Sequence, residues 1–386
     1  MTTIWNAILR PLNSQVRLRK YGRDACFCLA VAVMFLFAAE VAARVEDRLR
    51  LGVELFAVPD HDRDLILHDA IAVRGRPNGR FKKWALNNFG FRNAEMAKDP
   101  PEECVRVMVL GASESFGLYE SQGKEYPAQL QGILRSGCYE VVNAAITGLT
   151  VRAIIQLWNR WGSEFAPDVV VVYPTPAFYL ANNPPDDPRP PSGPVPAGPP
   201  PWTLRLIDRA RDVIDMPAFI QRRRVARTLA GKRRNEPGWS FDSVPEERTR
   251  RFEEDLRTLV QSVQRSGARI VLLTHATGFG SPPKAAEQDA LTAWLQFCPR
   301  ASAEILLQFE AVAATSTKHV ASQETASVVD VASKMNGHGE WFAEDYLHFN
   351  DAGAGVIAGL VADYILSDVN VTAHPARRQH HRLESD

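Results

Sequence analysis

Two short stretches hold residue types from which a hydrolytic site can be built. The first is the run 105–117, VRVMVLGASESFG. Its first six residues read as a buried strand that breaks at Gly111-Ala112-Ser113. An apolar run ending in glycine and small polar residues is how an α/β sheet presents a side chain at its carboxyl edge, and here that side chain is Ser113. A serine hydroxyl is a poor nucleophile until a base takes its proton. The second stretch, Glu344-Asp345-Tyr346-Leu347-His348, supplies a base. His348 would accept the proton and later return it to the leaving group. Asp345, three residues earlier on a turn, would hold the imidazole tautomer and favour the imidazolium. The bland reading of His348 is a surface histidine ahead of a helix. Asp345 beside it, and a serine after a buried strand, weigh against that.

The elements between these stretches alternate as an α/β sheet requires. Strands are expected at 105–110, 140–145, 168–173, 268–274 and 326–331. Residues 169–172 are four consecutive valines, which suits a central parallel strand covered on both faces. Helical patterns fall at 126–135, 151–165, 244–266, 283–297, 301–322 and 351–366, the last with Asp351 near its N-terminus. The order is interrupted at 182–201, where about half the residues are proline and neither helix nor sheet interior is possible. A basic stretch follows, with Arg222-Arg223-Arg224 and Lys232-Arg233-Arg234. It reads as a solvated helical face or as a contact for anionic headgroups or glycan. Residues 182–243 form an insertion, 367–386 a polar tail.

The N-terminal segment sets the compartment. Residues 1–24 are basic, and 25–43, ACFCLAVAVMFLFAAEVAA, are long enough to span a bilayer. The heavier positive flank lies before Ala25, so the tail is expected in the cytoplasm and everything after Ala43 outside it. A cleaved signal peptide is the alternative, with Val41-Ala42-Ala43 as its cleavage site. Residues 44–85 read as a stalk, and 86–92, LNNFGFR, as a turn leading into the core domain, 86–366. The chain has 386 residues and no net formal charge, which argues against nucleic acid as a partner. Five cysteines do not make a disulfide framework. Cys104 and Cys138 each precede an expected parallel strand, so an exported domain would allow a disulfide between them. Two free buried thiols are the other reading.

Four stretches, in order, resemble the blocks of the SGNH/GDSL hydrolase superfamily. Gly111-Ala112-Ser113 with Phe116-Gly117 resembles the block of the nucleophilic serine. Residues 141–148, VVNAAITG, resemble the second block, whose glycine, Gly148 here, donates a backbone N–H to the oxyanion. Residues 169–177 fall at the third block, and Asp345-Tyr346-Leu347-His348 resembles the fifth, Asp-x-x-His. The resemblance implies a three-layer α/β/α, flavodoxin-like parallel sheet. It implies a serine esterase or O-acyltransferase with Ser113, Asp345 and His348 as catalytic residues, and no cofactor or metal. Membrane-anchored members often act on cell-surface carbohydrate, which makes an acyl-ester or glycan substrate the expected partner.

Two positions depart from the pattern. The Asp before the serine is Ala112. The third-block Gly-x-Asn aligns with Pro174-Thr175-Pro176, so proline, which has no donor, replaces the oxyanion asparagine. Thr175 or Asn182 could substitute for it alongside the backbone N–H groups of Ser113 and Gly148. The departures also raise a rival reading, a degenerate domain that binds glycan or a partner without catalysis.

Overall fold

The computed structural model describes residues 2–51, 55–56, 61–68, 72–100, 104–134, 138–181, 205–207, 209, 227–228, 230–236 and 238–367. The proline-rich run 182–201, Asn182, the arginines 222–224 and the tail beyond 367 lie outside these residues. The chain divides into two compact units, 1–59 with 198–217, and 60–197 with 218–386.

The first unit is built on one helix, Thr2–Leu51. Its stretch Asp24–Leu49 contains an apolar run long enough to cross a membrane. A signal sequence has the same length and composition. Phe27, Phe35 and Phe37 are exposed along it. At its charged end Glu40 pairs with Arg44 at 2.7 Å and accepts the backbone N–H groups of Arg205 and Leu206. Arg209 pairs with Glu46 and Asp47.

The second unit is organised by five parallel strands: β1 (Val105–Gly111), β2 (Tyr139–Asn143), β3 (Val169–Tyr173), β4 (Arg269–Leu273) and β5 (Ser327–Val329), in the order β2-β1-β3-β4-β5. The chain starts near the middle of the sheet, steps out to β2, then crosses back through β3 to β5. The valines of β3 take the central position, and all are buried.

Period-two alternation sends side chains to two separate cores. Met108, Leu110, Val170, Val172 and Leu272 face helices α3 (Val151–Arg160), α4 (Glu246–Arg265) and α5 (Ala303–Gln323). Val107, Val109, Val171 and Leu273 face α2 (Tyr126–Ile133) and α6 (Asp351–Ser367). In α6, Ala354 and Ala358 are fully buried; such small side chains let a helix sit close to its neighbours. The result is a three-layer α/β/α sandwich.

Three segments differ from expectation. The stretch 44–85 is not one stalk, because the N-terminal helix runs on to Leu51 and residues 60–85 belong to the second unit. There Leu65, Ile66 and Trp84 are buried, with the Trp84 ring 6.2 Å from that of Phe116. The strands involved are two or three residues long, too short to show a period. The stretch 86–92 does more than turn. Asn87 Oδ1 accepts the N–H groups of Phe89 and Phe91, as turn chemistry predicts. Arg92 is buried as well, donating to the Phe116 and Gly117 carbonyls at 2.5 Å and pairing with Glu125 at 3.1 Å. The helix expected over 151–165 breaks at Trp161 and resumes as a 3-10 turn, Gly162–Phe165. In the basic stretch, Arg233 is tied to the carbonyls of Pro299 and Ala301, and Lys232 lies over the Trp239 ring. Cys104 and Cys138, just ahead of β1 and β2, are joined by a disulfide with Cα atoms 4.5 Å apart.

Candidate active site

The carboxyl edge of β1 delivers Ser113. The strand ends at Gly111, where a Cβ would come within 2.3 Å of Ser115 Oγ, so only glycine allows this close approach. Ser113 then opens a single helical turn, α1 (Ser113–Phe116). The carbonyls at its end are held by Arg92, which fixes the turn that carries the serine.

The stretch 343–348 is a closed loop between Phe342 and Phe349, which bridge as antiparallel partners. The Ala343 N–H donates to the His348 carbonyl at 2.7 Å. Tyr346 takes the left-handed conformation at φ 59°, which costs a residue with a Cβ about 1–2 kcal/mol. That reversal puts Asp345 and His348 on one side. Asp345 Oδ1 accepts the N–H groups of Leu347 and His348 at 3.0 Å each, and Oδ2 meets His348 Nδ1 at 2.6 Å. His348 Nε2 lies 2.8 Å from Ser113 Oγ, across 235 residues of sequence. The three side chains form an unbroken line, with the Tyr119 ring 4.9 Å from the imidazole.

The electrostatics follow from this line. Burial pushes the Asp345 carboxyl up, but the His348 hydrogen bond, its charge and the two N–H groups outweigh it and hold the group below its ordinary value. Burial pushes His348 down, but its bond to Asp345 and the charges of Glu114, Asp345 and Glu120 carry it above its ordinary value. A base of this kind is stronger than a free histidine.

Gly148 lies in the loop after β2 at φ 78°, a conformation that favours glycine, and a Cβ there would meet nothing within 4 Å. Pro176 begins a short 3-10 helix, Pro176–Leu180. Thr175 is not turned to the triad as a donor. Its hydroxyl donates to the Glu114 carboxylate at 3.2 Å.

That carboxylate belongs to a group that sequence reasoning passed over. Glu114 Oε1 makes a long 3.5 Å contact with His275 Nε2, and His275 Nδ1 meets Glu310 Oε2 at 2.6 Å. Burial pushes Glu114 up, yet the hydrogen bond from His275 and the charges of both histidines bring it down to about 2. Burial pushes His275 down, yet the Glu310 and Glu114 carboxylates raise it to about 10. One signal was available: His275 directly follows the buried strand 268–274, at the edge where Ser113 also emerges. Glu114 and Glu310 left no such trace, since a lone Glu in a helix reads as solvated. Among the described residues, no three His, Cys, Asp or Glu side chains are grouped to hold a metal ion.

No family model and no curated protein matches this chain. Among solved structures it is similar to a lipase/acylhydrolase from Enterococcus faecalis, at 14% identity and a TM-score of 0.41, over 68% of this chain and 95% of that one. It is similar to Axe2, an acetylxylan esterase from Geobacillus stearothermophilus, at 17% identity and a TM-score of 0.38, over 70% and 96%. LAE5, an alpha/beta hydrolase enzyme from the metagenome of Lake Arreo, Spain, is at 17% and 0.40, over 70% and 98%. Likeness at this level says nothing about what this chain acts on.

Proposed function

We propose that this protein is a serine-dependent acyl-ester hydrolase or acyl transferase of the SGNH type, anchored by its N-terminal helix and working outside the cytoplasm on a cell-envelope or secreted glycan. The observation that carries the reading is the line Asp345–His348–Ser113, with 2.6 Å and 2.8 Å between its members. Neutral His348 takes the hydroxyl proton as Ser113 Oγ attacks the acyl carbon, and Asp345 steadies the imidazolium. The backbone N–H groups of Ser113 and Gly148 serve the developing oxyanion. His348 then protonates the leaving oxygen, and water or an acceptor hydroxyl removes the acyl group from Ser113.

The oxyanion site is the weak point. Pro176 offers no donor and the Thr175 hydroxyl is engaged by Glu114. Loss of one donor typically costs about 100- to 1,000-fold in rate. This favours a slow or specialised enzyme, and it keeps the non-catalytic binding module as the second reading.

The Cys104–Cys138 bond supports an oxidising compartment. A membrane-impermeant fluorophosphonate applied to intact cells tests activity and topology together. Wild type labels at full length and Ser113→Ala does not. No labelling in cells or lysate would hand the site to the binding module. Labelling only after lysis would overturn the extracytoplasmic placement.

A further inference from the structure

The triad leaves one group of charges beside Ser113 unused. Glu114, His275 and Glu310 are 3%, 2% and 6% exposed, and they come from α1, the loop after β4, and α5. We propose that Glu114 is a positioning residue for the triad, a carboxylate fixed beside Ser113 by Thr175 and by His275 anchored on Glu310, whose charge acts on His348. The consequence for turnover rests on the esterase reading; the effect on His348 itself does not.

The geometry confines the charge. Glu114 follows Ser113 in the chain, and its Oε2 lies 3.4 Å from Ser113 Oγ. The hydroxyl has the nearer acceptor in His348 at 2.8 Å, so its proton is directed there. Both carboxylate oxygens of Glu114 accept from Thr175, which stops the group from turning away. A negative charge held here in a water-poor site favours the His348 imidazolium that forms as Ser113 attacks.

A buried carboxylate persists only with a compensating charge. His275 supplies it, and Glu310 at 2.6 Å holds that ring as Asp345 holds His348. The Tyr173 and Tyr126 phenols also face this group, and burial raises both, so they stay neutral. Around His348 the titratable groups are Asp345, Glu114, Glu120 and the Tyr119 phenol, which is also raised by burial. Burial pushes Glu120 up to about 7, so it changes charge in the range where His348 is read.

The test is a pH titration of the histidine rings by NMR, on full-length protein in detergent with 13C-labelled imidazoles. The chain has nine histidines, and His348→Gln assigns the relevant signal. Glu114→Gln is expected to move the His348 midpoint to lower pH, both in wild type and in the Glu120→Gln background. His275→Gln moves it the same way, and the double variant moves it no further, because Glu114 without its counter-charge takes up a proton. Thr175→Val, which removes no charge and disturbs the fold least, gives a smaller shift in the same direction. A His348 midpoint that stays in place in Glu114→Gln and Thr175→Val overturns the proposal. In turnover, the acid limb of kcat/KM for Glu114→Gln should follow the NMR midpoint, with a loss of about tenfold. An equal loss at every pH with the limb unmoved would mean a merely structural role and would also overturn it. If fluorophosphonate never labels wild-type Ser113, the esterase reading falls, and the midpoints still judge what Glu114 does to His348.

Discussion

His348 and His275 each hold a carboxylate on Nδ1 at 2.6 Å, Asp345 in one case and Glu310 in the other. The difference lies on Nε2. His348 meets a neutral hydroxyl at 2.8 Å, whereas His275 meets a second carboxylate at 3.5 Å. The first ring is partly exposed and faces that hydroxyl. The second is sealed between two negative charges and raised to about 10, so it stays an imidazolium through the neutral range. On the proposed reading the same side chain type serves as a base beside Ser113 and as a fixed cation against Glu114. What separates the roles is the number of carboxylates around the ring and the water allowed to reach it.

The sharpest way to break this comparison is turnover. Ser113→Ala and His348→Ala should each lose about 10⁴- to 10⁶-fold in kcat, and the double variant should be little worse, since such residues act as a unit. Asp345→Asn should lose about 10⁴-fold with the fold intact. If His275→Gln cost as much turnover as His348→Ala, the two rings would not have distinct roles.

Stability should rank them the other way. His275→Leu leaves Glu114 and Glu310 buried without their cation, and breaking such a pair costs about 3–5 kcal/mol. His348→Leu touches a more exposed pair, with side chains 16% and 27% exposed, and should cost less. Urea unfolding midpoints at pH 6 check the order, and equal costs would refute it.

The mildest effect is in pH dependence. His275 is raised in the folded state, so its contribution is complete below its ordinary value of 6.5 and is lost as pH rises through about 10. Glu114 is depressed, so its contribution is present above its ordinary 4.5 and is lost as pH falls toward about 2. The group's contribution is therefore fullest between 4.5 and 6.5, and its alkaline decline should flatten in His275→Gln when thermal midpoints are followed with pH. Activity runs the other way, because His348 must be neutral to accept a proton. It is raised too, so kcat/KM should climb through a midpoint above the ordinary 6.5.

The sheet was legible because each strand carries its own signal. The valines of β3 and the break at Gly111 can be read without reference to anything distant. The Asp-x-x-His spacing is equally local, and so is the turn that Asn87 caps. Arg92 shows the limit. In the chain it ends a turn motif, and only the fold sets its guanidinium on the carbonyls of Phe116 and Gly117. Residues 60–85 were hidden for a similar reason, since their burial comes from contacts made by strands too short to repeat a pattern.

The sequence by itself determined the parallel sheet, the apolar N-terminal segment and the residue types at Ser113, Asp345 and His348, because periodicity and spacing along the chain encode them. Tertiary structure alone decided that Ser113 and His348 meet across 235 residues, that Thr175 turns to Glu114, and that a second histidine is held between Glu114 and Glu310. Hydrogen bonds and buried charges depend on distances between elements far apart in sequence, and those distances exist only once both cores have closed on the sheet.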